Sequence, residues 1–255
     1  SGKDVFAQVI PKNSGITIPS EILGSSSFGA EDGKMVKEID KEFGRSAAVD
    51  SINKSFSLGS KFLSRIGYTL SLEDLNVSDK VKNSTKDVIK EAREKTDQII
   101  EDYEKGMLEL IPGKSFEETR ETRIMQVLNE VRTDVGKLVK ENFSIEGNVS
   151  KMITSGAKGS LLNITQIGCC VGQQSIRGGR ISFGFDGRTL SFFKRGDLSP
   201  ESRGFIENSF FVGLKPTEFF FGAITGRDSL MDTALRTPKS GYLYRRLVSA
   251  LQDLK

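Results

Sequence analysis

Histidine is absent from this sequence, and cysteine occurs only twice, at the adjacent positions Cys169 and Cys170. Without histidine the chain cannot carry Ser-His-Asp or Cys-His catalysis, histidine metal ligation or the usual titration near neutral pH. Two adjacent cysteines build neither a disulfide framework nor a four-ligand zinc site. We therefore expect both to be small core residues, in a reducing, intracellular compartment.

Long hydrophobic runs are also missing, although apolar residues make up 36% of the 255 residues. No run approaches the roughly 18–20 apolar residues that span a bilayer, so we expect no membrane interaction. The sequence starts at Ser1 with neither an initiator Met nor a signal-peptide pattern, and we expect it to be a fragment. The apolar content is sufficient for a folded core.

Positive charge and phenylalanine are concentrated in the C-terminal part of the chain. Residues 151–255 hold 15 Lys and Arg against 8 Asp and Glu, and they contain 10 of the 17 Phe. Residues 1–150 carry more acidic than basic residues. A basic, aromatic part suits contact with nucleic acid or phosphates, while a solvated basic face explains the charge alone equally well.

Apolar periodicity predicts a mainly α protein with minor β structure (α+β). Residues 5–10 read as a short strand, and helices are expected over 31–44 and 46–65. The second of these helices has a predicted apolar face, which consists of Val49, Ile52, Phe56, Phe62, Leu63 and Ile66.

The clearest architectural signal is a pair of long helices between residues 78 and 143. Apolar residues of the second helix recur at spacings of 4, 3, 4 and 3, at Ile124, Leu128, Val131, Val135 and Leu138. With the breaker Pro112-Gly113 before it, this heptad seam predicts an antiparallel hairpin about 45 Å long. Ser115 and Glu118 have the spacing of a capping box. The remaining positions are charged, so most of the hairpin should project into solvent.

A glycine-rich mixed region over 146–215 precedes one long helix from Pro216 towards Lys255. Proline fits the first turn of a helix, and a helix of this length spans roughly 55–60 Å, which suits a strut in a larger assembly. Thr233, Thr237, Ser240 and Tyr244 share one face, and the C-terminal half is basic. Such stripes can accommodate a nucleic-acid strand, and an ordinary exposed helix is the alternative.

Two further motifs carry weaker signals. Ser155-Gly-Ala-Lys-Gly-Ser160 has the glycines, lysine and hydroxyls of a phosphate loop but not the Walker A order, and a tight turn explains it equally well. Asp186 is an isolated acid beside Arg188, whereas two-metal phosphoryl transfer needs several converging carboxylates. We assign Asp186 no catalytic role.

Several blocks, in order, give the sequence a family resemblance. They are Ser155–Ser160, Asn163-Ile-Thr-Gln166, Val171-Gly-Gln-Gln174, Ser199-Pro-Glu-Ser-Arg-Gly-Phe205, Pro216-Thr-Glu-Phe-Phe-Phe221, Gly226-Arg-Asp-Ser-Leu-Met-Asp-Thr-Ala234 and Arg245-Arg-Leu247. Together they resemble the largest subunit of multisubunit DNA-dependent RNA polymerases, and Leu251-Gln-Asp-Leu254 leans towards the archaeal A-prime type. The resemblance extends more loosely over 70–145.

The resemblance implies four segments and a set of site residues. The segments are a pore-like region over 1–75, a funnel hairpin over 76–145, a pore and cleft region over 146–215 and a bridge helix over 216–255. Residues implied at the template or nucleic acid are Thr233, Thr237, Pro238, Tyr242, Arg245 and Arg246. Residues implied along the nucleotide path are Lys158, Gln166, Gln173, Gln174 and Asp228.

The resemblance also implies template-directed nucleotidyl transfer from NTPs with Mg²⁺. The implied partners are the second-largest and other polymerase subunits, DNA, RNA and a transcript-cleavage factor in the funnel. The expected location is cytoplasmic and nucleoid-associated for an archaeal protein, and nuclear for a eukaryotic one. A stand-alone nucleic-acid-binding module and a coiled-coil adaptor are the alternatives.

Two departures from the family pattern bear on mechanism. The family's metal-binding segment Asn-Ala-Asp-Phe-Asp-Gly-Asp is absent, so we expect the chain alone to be inactive and to bind no metal. Pro238 stands where the family usually has alanine. Proline removes an N–H that would bond to the Ala234 carbonyl and disfavours helical angles at Thr237, which predicts a kink beside the template base.

Overall fold

The computed structural model describes residues 2–11, 15–16, 18, 23–29, 33–142, 147–182 and 184–254. The chain forms two compact units, one of Ser1–Asn76 with Asn142–Asn163 and one of Val77–Glu141 with Ile164–Lys255. Within the described residues the secondary structure is mainly helical with short strands, which confirms the expected fold class. None of the helices in these ranges is both long and apolar enough to cross a membrane.

The helices are α1 (Gly2–Ala7), α2 (Ser25–Phe28), α3 (Lys34–Phe43), α4 (Arg45–Ile66), α5 (Asp79–Glu104), α6 (Phe116–Glu141), α7 (Asn148–Thr154), α8 (Leu161–Gly168) and α9 (Pro216–Leu251). A 3-10 turn covers Glu73–Leu75. The strands are β1 (Gly172–Gln173), β2 (Ser175–Ile176), β3 (Gly179–Arg180) and β4 (Phe205–Ile206).

The predicted strand over residues 5–10 is wrong. This segment instead contains the end of α1, after which the Val9 N–H donates to the Phe6 carbonyl at 2.9 Å. A helical turn satisfies its backbone locally, whereas a strand needs a paired neighbour. The Phe6 ring packs edge-on against Phe28 at 5.4 Å between centroids.

Helix α4 forms as predicted, but it buries a different side. Its buried residues are Ala48 and Ser51, and it packs against α3, which buries Met35 and Ile39. The six apolar residues of the predicted face are all at least 43% exposed. Small residues bury against α3 because they allow close helix approach, so the larger apolar side chains are left outside.

The hairpin of the second unit is confirmed as α5 and α6, each of 26 residues and so about 39 Å long. The Ser115 N–H donates to Glu118 Oε2 at 2.9 Å and the Glu118 N–H donates to Ser115 Oγ at 3.2 Å, which is the predicted capping box. The buried seam of α6 ends at Val139, not Leu138. A helix of 3.6 residues per turn drifts away from a strict heptad, and this shifts the last position by one.

The hairpin does not simply project into solvent, because α6 packs against β1 and β3. Arg180 of β3 is buried and donates to both carboxylate oxygens of Glu121 on α6, at 2.9 and 3.0 Å, and to the Leu198 carbonyl at 2.9 Å. Burial raises the pKa of Glu121, but hydrogen bonds and charge from Arg180 and Arg120 outweigh it and leave that pKa below its ordinary value.

The glycine-rich region forms two small antiparallel pairs. β1 pairs with β4, with Gln173 opposite Phe205, and β2 pairs with β3. The turn between β2 and β3 is Arg177-Gly178, with φ of 52° and 83°, the left-handed pair that a two-residue hairpin requires. Ile176 and Ile181 form a core with Phe221 of α9.

Candidate nucleic-acid interface

Helix α9 begins at a buried carboxylate. Glu218 is 4% exposed and accepts four hydrogen bonds. Its Oε1 accepts from the N–H groups of Glu207 and Asn208 at 3.1 and 3.3 Å, and its Oε2 accepts from Asn208 Nδ2 and the Lys215 N–H, both at 2.8 Å. Burial raises the pKa of Glu218, but these hydrogen bonds outweigh it and hold the pKa below its ordinary value.

Two further contacts hold the first third of α9. The Phe221 ring is 1% exposed and stacks against Phe193 at 6.4 Å between centroids. Asp228 lies 4.0 Å from the guanidinium of Arg177, which the β2–β3 turn carries. Helix α9 is therefore fixed to the glycine-rich region over its first two turns, through Glu218 and Phe221, and by one weak ion pair further along, at Asp228.

Every residue from Ser229 to Leu254 is exposed. We call the helical part of this segment, residues 229–251, the arm; it is about 35 Å long. Its exposed apolar residues are Leu230, Met231, Leu235, Leu243, Leu247, Val248 and Leu251. A helix with uncovered apolar residues on several sides is marginal alone, so the arm has the character of a segment that other surfaces cover.

The arm separates the predicted nucleic-acid residues into two groups. At about 100° per residue, Thr233 and Thr237 lie within about 40° of each other. Tyr242 lies about 180° from Thr233, and Arg245 and Arg246 lie within about 60° of Tyr242. The structure therefore brings the tyrosine and the arginines together and places the threonines on the opposite face.

The basic face has its charges free. The Arg246 guanidinium lies 5.3 Å from the centre of the Tyr242 ring. In the described part of the chain, no carboxylate lies within ion-pairing distance of Arg245 or Arg246, whereas Arg236 pairs with Asp232 at 2.7 Å. Two unpaired guanidinium groups beside an exposed aromatic ring can contact phosphates and a base face.

On the opposite face, the hydroxyls of both threonines donate hydrogen bonds within the helix. Thr233 Oγ1 donates to the Ser229 carbonyl and Thr237 Oγ1 donates to the Thr233 carbonyl, both at 2.9 Å. Helix α9 continues through Thr237 and Pro238, so Thr237 keeps its place in the helix, contrary to the sequence expectation. Such bonds from a hydroxyl to the carbonyl four residues earlier satisfy the hydroxyl locally, and they tend to bend a helix slightly rather than to strengthen it. The predicted kink itself stays a prediction.

Three glutamines predicted along the nucleotide path hold the loops beneath α9. Gln166 Nε2 donates to the Val171 carbonyl at 3.4 Å, and Gln173 Nε2 donates to the carbonyls of Gln174 and Arg203 at 2.7 and 2.9 Å. The backbone N–H of Gln174 donates to the Gly204 carbonyl at 2.9 Å. The buried Oε1 of Gln173 has no hydrogen-bond partner among the residues that the structure describes.

Lys158 belongs to the first unit, whereas the other predicted residues belong to the second. It is exposed in the turn between α7 and α8, where Gly156 and Gly159 have φ of 72° and 79°. It lines an apolar groove of about 640 Å³ together with Leu63 and Met152. The segment 155–160 is thus a tight turn.

The described ranges contain no group of three or more Cys, Asp or Glu placed to hold a metal ion. Asp186 is engaged in an ion pair with Arg195. Burial raises the pKa of the Cys170 thiol to about 12, so this thiol stays protonated at neutral pH. These side chains offer neither a magnesium site nor an activated nucleophile.

Sequence reasoning missed the two residues that fix this site, Glu218 and Arg180. A signal for Glu218 existed, because it lies three residues after Lys215 with the spacing of a capping carboxylate. Lysine is not a usual N-cap residue, so the sequence analysis did not identify Lys215 and Glu218 as a capping pair. Nothing local identifies Arg180, whose partner Glu121 lies 59 residues away.

Two family models match the chain over the elements just described. Residues 100–206 match RNA polymerase Rpb1, domain 4, and residues 213–255 match RNA polymerase Rpb1, domain 5. The first match covers most of the hairpin and the glycine-rich region, and the second covers all of α9.

Curated relatives agree with these matches. DNA-directed RNA polymerase subunit Rpo1N of Methanothermobacter thermautotrophicus is 45% identical over 236 residues, 92% of this chain and 27% of the relative. Rpo1N of Halococcus morrhuae is 42% identical over 91% of this chain and 67% of the relative. Rpo1N of Halobacterium salinarum is 38% identical over 100% of this chain and 28% of the relative. The chain belongs to the family of the largest subunit of DNA-directed RNA polymerase, and its relatives are of the archaeal type. It spans about a quarter of the length of the first and third of these relatives.

Proposed function

We propose that this chain takes part in template-directed RNA synthesis from NTPs, with α9 as a bridge helix beside the template strand. The observation that carries the proposal is the arm. Helix α9 is fixed near its start by Glu218 and Phe221, and every residue of the arm is exposed. Its free arginines suit nucleic acid, and its apolar residues need protein partners.

Within this proposal the residues of the arm have different tasks. Arg245, Arg246 and Tyr242 contact the template strand and its backbone. Thr237 and Pro238 lie against the template base, and Thr233 meets the nucleic acid or a partner on the other side. The second-largest subunit and other polymerase subunits cover the apolar positions.

The hairpin and the loops below α9 define the nucleotide path in this proposal. Helices α5 and α6 form the funnel, through which nucleotides arrive, backtracked RNA leaves and a transcript-cleavage factor binds. Gln166, Gln173, Gln174 and Asp228 shape the wall between α9 and its support, and Lys158 faces the incoming triphosphate.

Magnesium enters this proposal only through the whole enzyme, where it would supply charge stabilisation during nucleotidyl transfer. The described residues of this chain do not fit a magnesium site, so we propose ligands outside the chain and derive no step through the ion. We propose a cytoplasmic, nucleoid-associated location, as expected for an archaeal protein.

The proposal is tested on the native assembly that contains this chain. Affinity purification followed by mass spectrometry should recover the second-largest subunit, and the sample should incorporate NTPs on a DNA template. Replacing Arg245 and Arg246 with alanine should reduce the incorporation rate at least tenfold, because phosphate contacts position the template. The matched control replaces Lys37 and Lys41, which are exposed on α3, and it should leave the incorporation rate unchanged.

A product that purifies alone and incorporates nothing contradicts the proposal. In that case the salt dependence of binding separates the two alternatives. A nucleic-acid-binding module loses affinity steeply with salt, whereas a coiled-coil adaptor self-associates and ignores nucleic acid.

A further inference from the structure

A cavity of about 560 Å³ lies beside α5 in the second unit. Its walls are α5, the end of α8 at Gly168 and Cys169, and the segment 207–212 that follows β4. This volume lies within the roughly 300–1,000 Å³ that is typical of small-molecule sites. Glu207 and Asn208 also donate backbone N–H groups to Glu218 of α9, whereas the α5 residues that line the cavity take no part in the interface of α9.

Four cations of α5 line this cavity in one stripe. Lys82, Lys86, Lys90 and Arg93 follow one another at steps of four, four and three residues, so they share one helix face. Lysines four residues apart repel each other on a helix, which makes the stripe unfavourable for the helix alone. The stability of the fold therefore does not account for this arrangement.

The stripe is only partly neutralised by the protein. Arg93 forms an ion pair with Glu207, and Lys82 lies 3.4 Å from Asp79. Across the described residues, no carboxylate lies within ion-pairing distance of Lys86 or Lys90. Among the described residues that line the cavity, Glu207 is the only acid, against four cations. A concave site with one sign of charge concentrates its field on a ligand of the opposite sign.

The cavity wall formed by the end of α8 does not repel an anion. The end of α8 would present free carbonyls to the cavity, but the N–H groups of Phe210 and Phe211 donate to the carbonyls of Gln166 and Ile167 at 3.2 and 2.9 Å. These bonds cap the negative end of the helix. Ile89 and Val212 add apolar surface to the walls.

We propose that this cavity binds a small phosphate-bearing anion of nucleotide size. Lys86 and Lys90 hold the phosphate oxygens, and Ile89 and Val212 contact the less polar part of the ligand. The inference does not depend on the proposed polymerase function, because it concerns ligand binding by the chain itself.

The test is isothermal titration calorimetry of the 255-residue chain with pyrophosphate and, separately, with ATP at low salt. The expected result is one ligand per chain. Lys86→Gln with Lys90→Gln should weaken binding at least tenfold, which corresponds to about 1.4 kcal/mol. Equal affinity for both ligands assigns the site to phosphate alone, and tighter ATP binding assigns it to a nucleotide. Both lysines are exposed, so circular dichroism should show an unchanged fold.

A matched control separates the cavity from general charge. Lys95→Gln with Lys105→Gln removes the same charge from the same hairpin outside the cavity, and it should leave binding unchanged. Cys169 lines the cavity, so saturating ligand should also slow its alkylation. Equal weakening by both double variants, no binding of either ligand, or binding of single-stranded RNA that ATP does not displace would overturn the proposal.

Discussion

Replacing Glu218 with glutamine tests how α9 is fixed. Each oxygen of the Glu218 carboxylate accepts two hydrogen bonds, so an amide nitrogen in place of either oxygen faces two donors. A lost hydrogen bond with a buried donor costs about 1–3 kcal/mol, and a flipped Asn208 amide recovers one of the two. We therefore expect Glu218→Gln to lower the free energy of unfolding by about 2 kcal/mol.

The assay is urea unfolding of the chain, with hydrogen exchange of the first turns of α9 as a local readout. The expected result is faster exchange at Phe219 and Phe220, because the helix start loses its support. Glu94→Gln is the matched control, since Glu94 is exposed on α5 and should change stability by less than about 0.5 kcal/mol. A loss for Glu218→Gln as small as that of the control would refute the assigned role of this carboxylate.

Three further predictions follow from the contacts described above. Pro238→Ala should stabilise α9 by up to about 3 kcal/mol, which circular dichroism would detect as higher helicity. In the assembled enzyme it should change pausing, because the predicted kink is proposed to bias translocation. Unchanged elongation kinetics would contradict that role of Pro238. Glu121→Gln should cost about 2 kcal/mol in urea unfolding because it leaves the buried Arg180 with a poorer acceptor; a cost near zero would contradict the contact. The pKa values of Glu121 and Glu218 are lower in the folded chain than in the unfolded chain. Both carboxylates therefore stabilise the fold above about pH 4.5, and this stabilisation is lost as the pH falls through their folded-state pKa values. The double glutamine variant lacks both carboxylates, so its acid unfolding should depend less steeply on pH.

Local patterns were enough to predict much of the fold. The hairpin, its Ser115–Glu118 capping box and the start of α9 at Pro216 depend on residues within a few positions of one another. Helical period, breakers and caps are properties of short segments, and they can be read without knowledge of the partners. The same reasoning failed at residues 5–10, where a short apolar run suits a strand or a helix equally.

Non-local packing was beyond the reach of the sequence. The buried side of α4 depends on which face α3 covers, and the burial of Arg180 depends on Glu121, which lies 59 residues away in the chain. The separation of Thr233 from Tyr242 followed from helix geometry, but the exposure of the entire arm did not. Periodicity indicates that a helix has an apolar side, but it does not indicate which surface covers that side.

Site-specific crosslinking from the arm tests the central proposal most directly. A benzophenone side chain at position 242 would be placed in the native assembly, stalled on a DNA template during RNA synthesis. The matched position is Phe219, which is also exposed but lies about 35 Å along the same helix. The account predicts crosslinks to the template strand from position 242 and none from position 219. A complex that synthesises RNA but gives no template crosslink from position 242 would contradict the proposed role of α9.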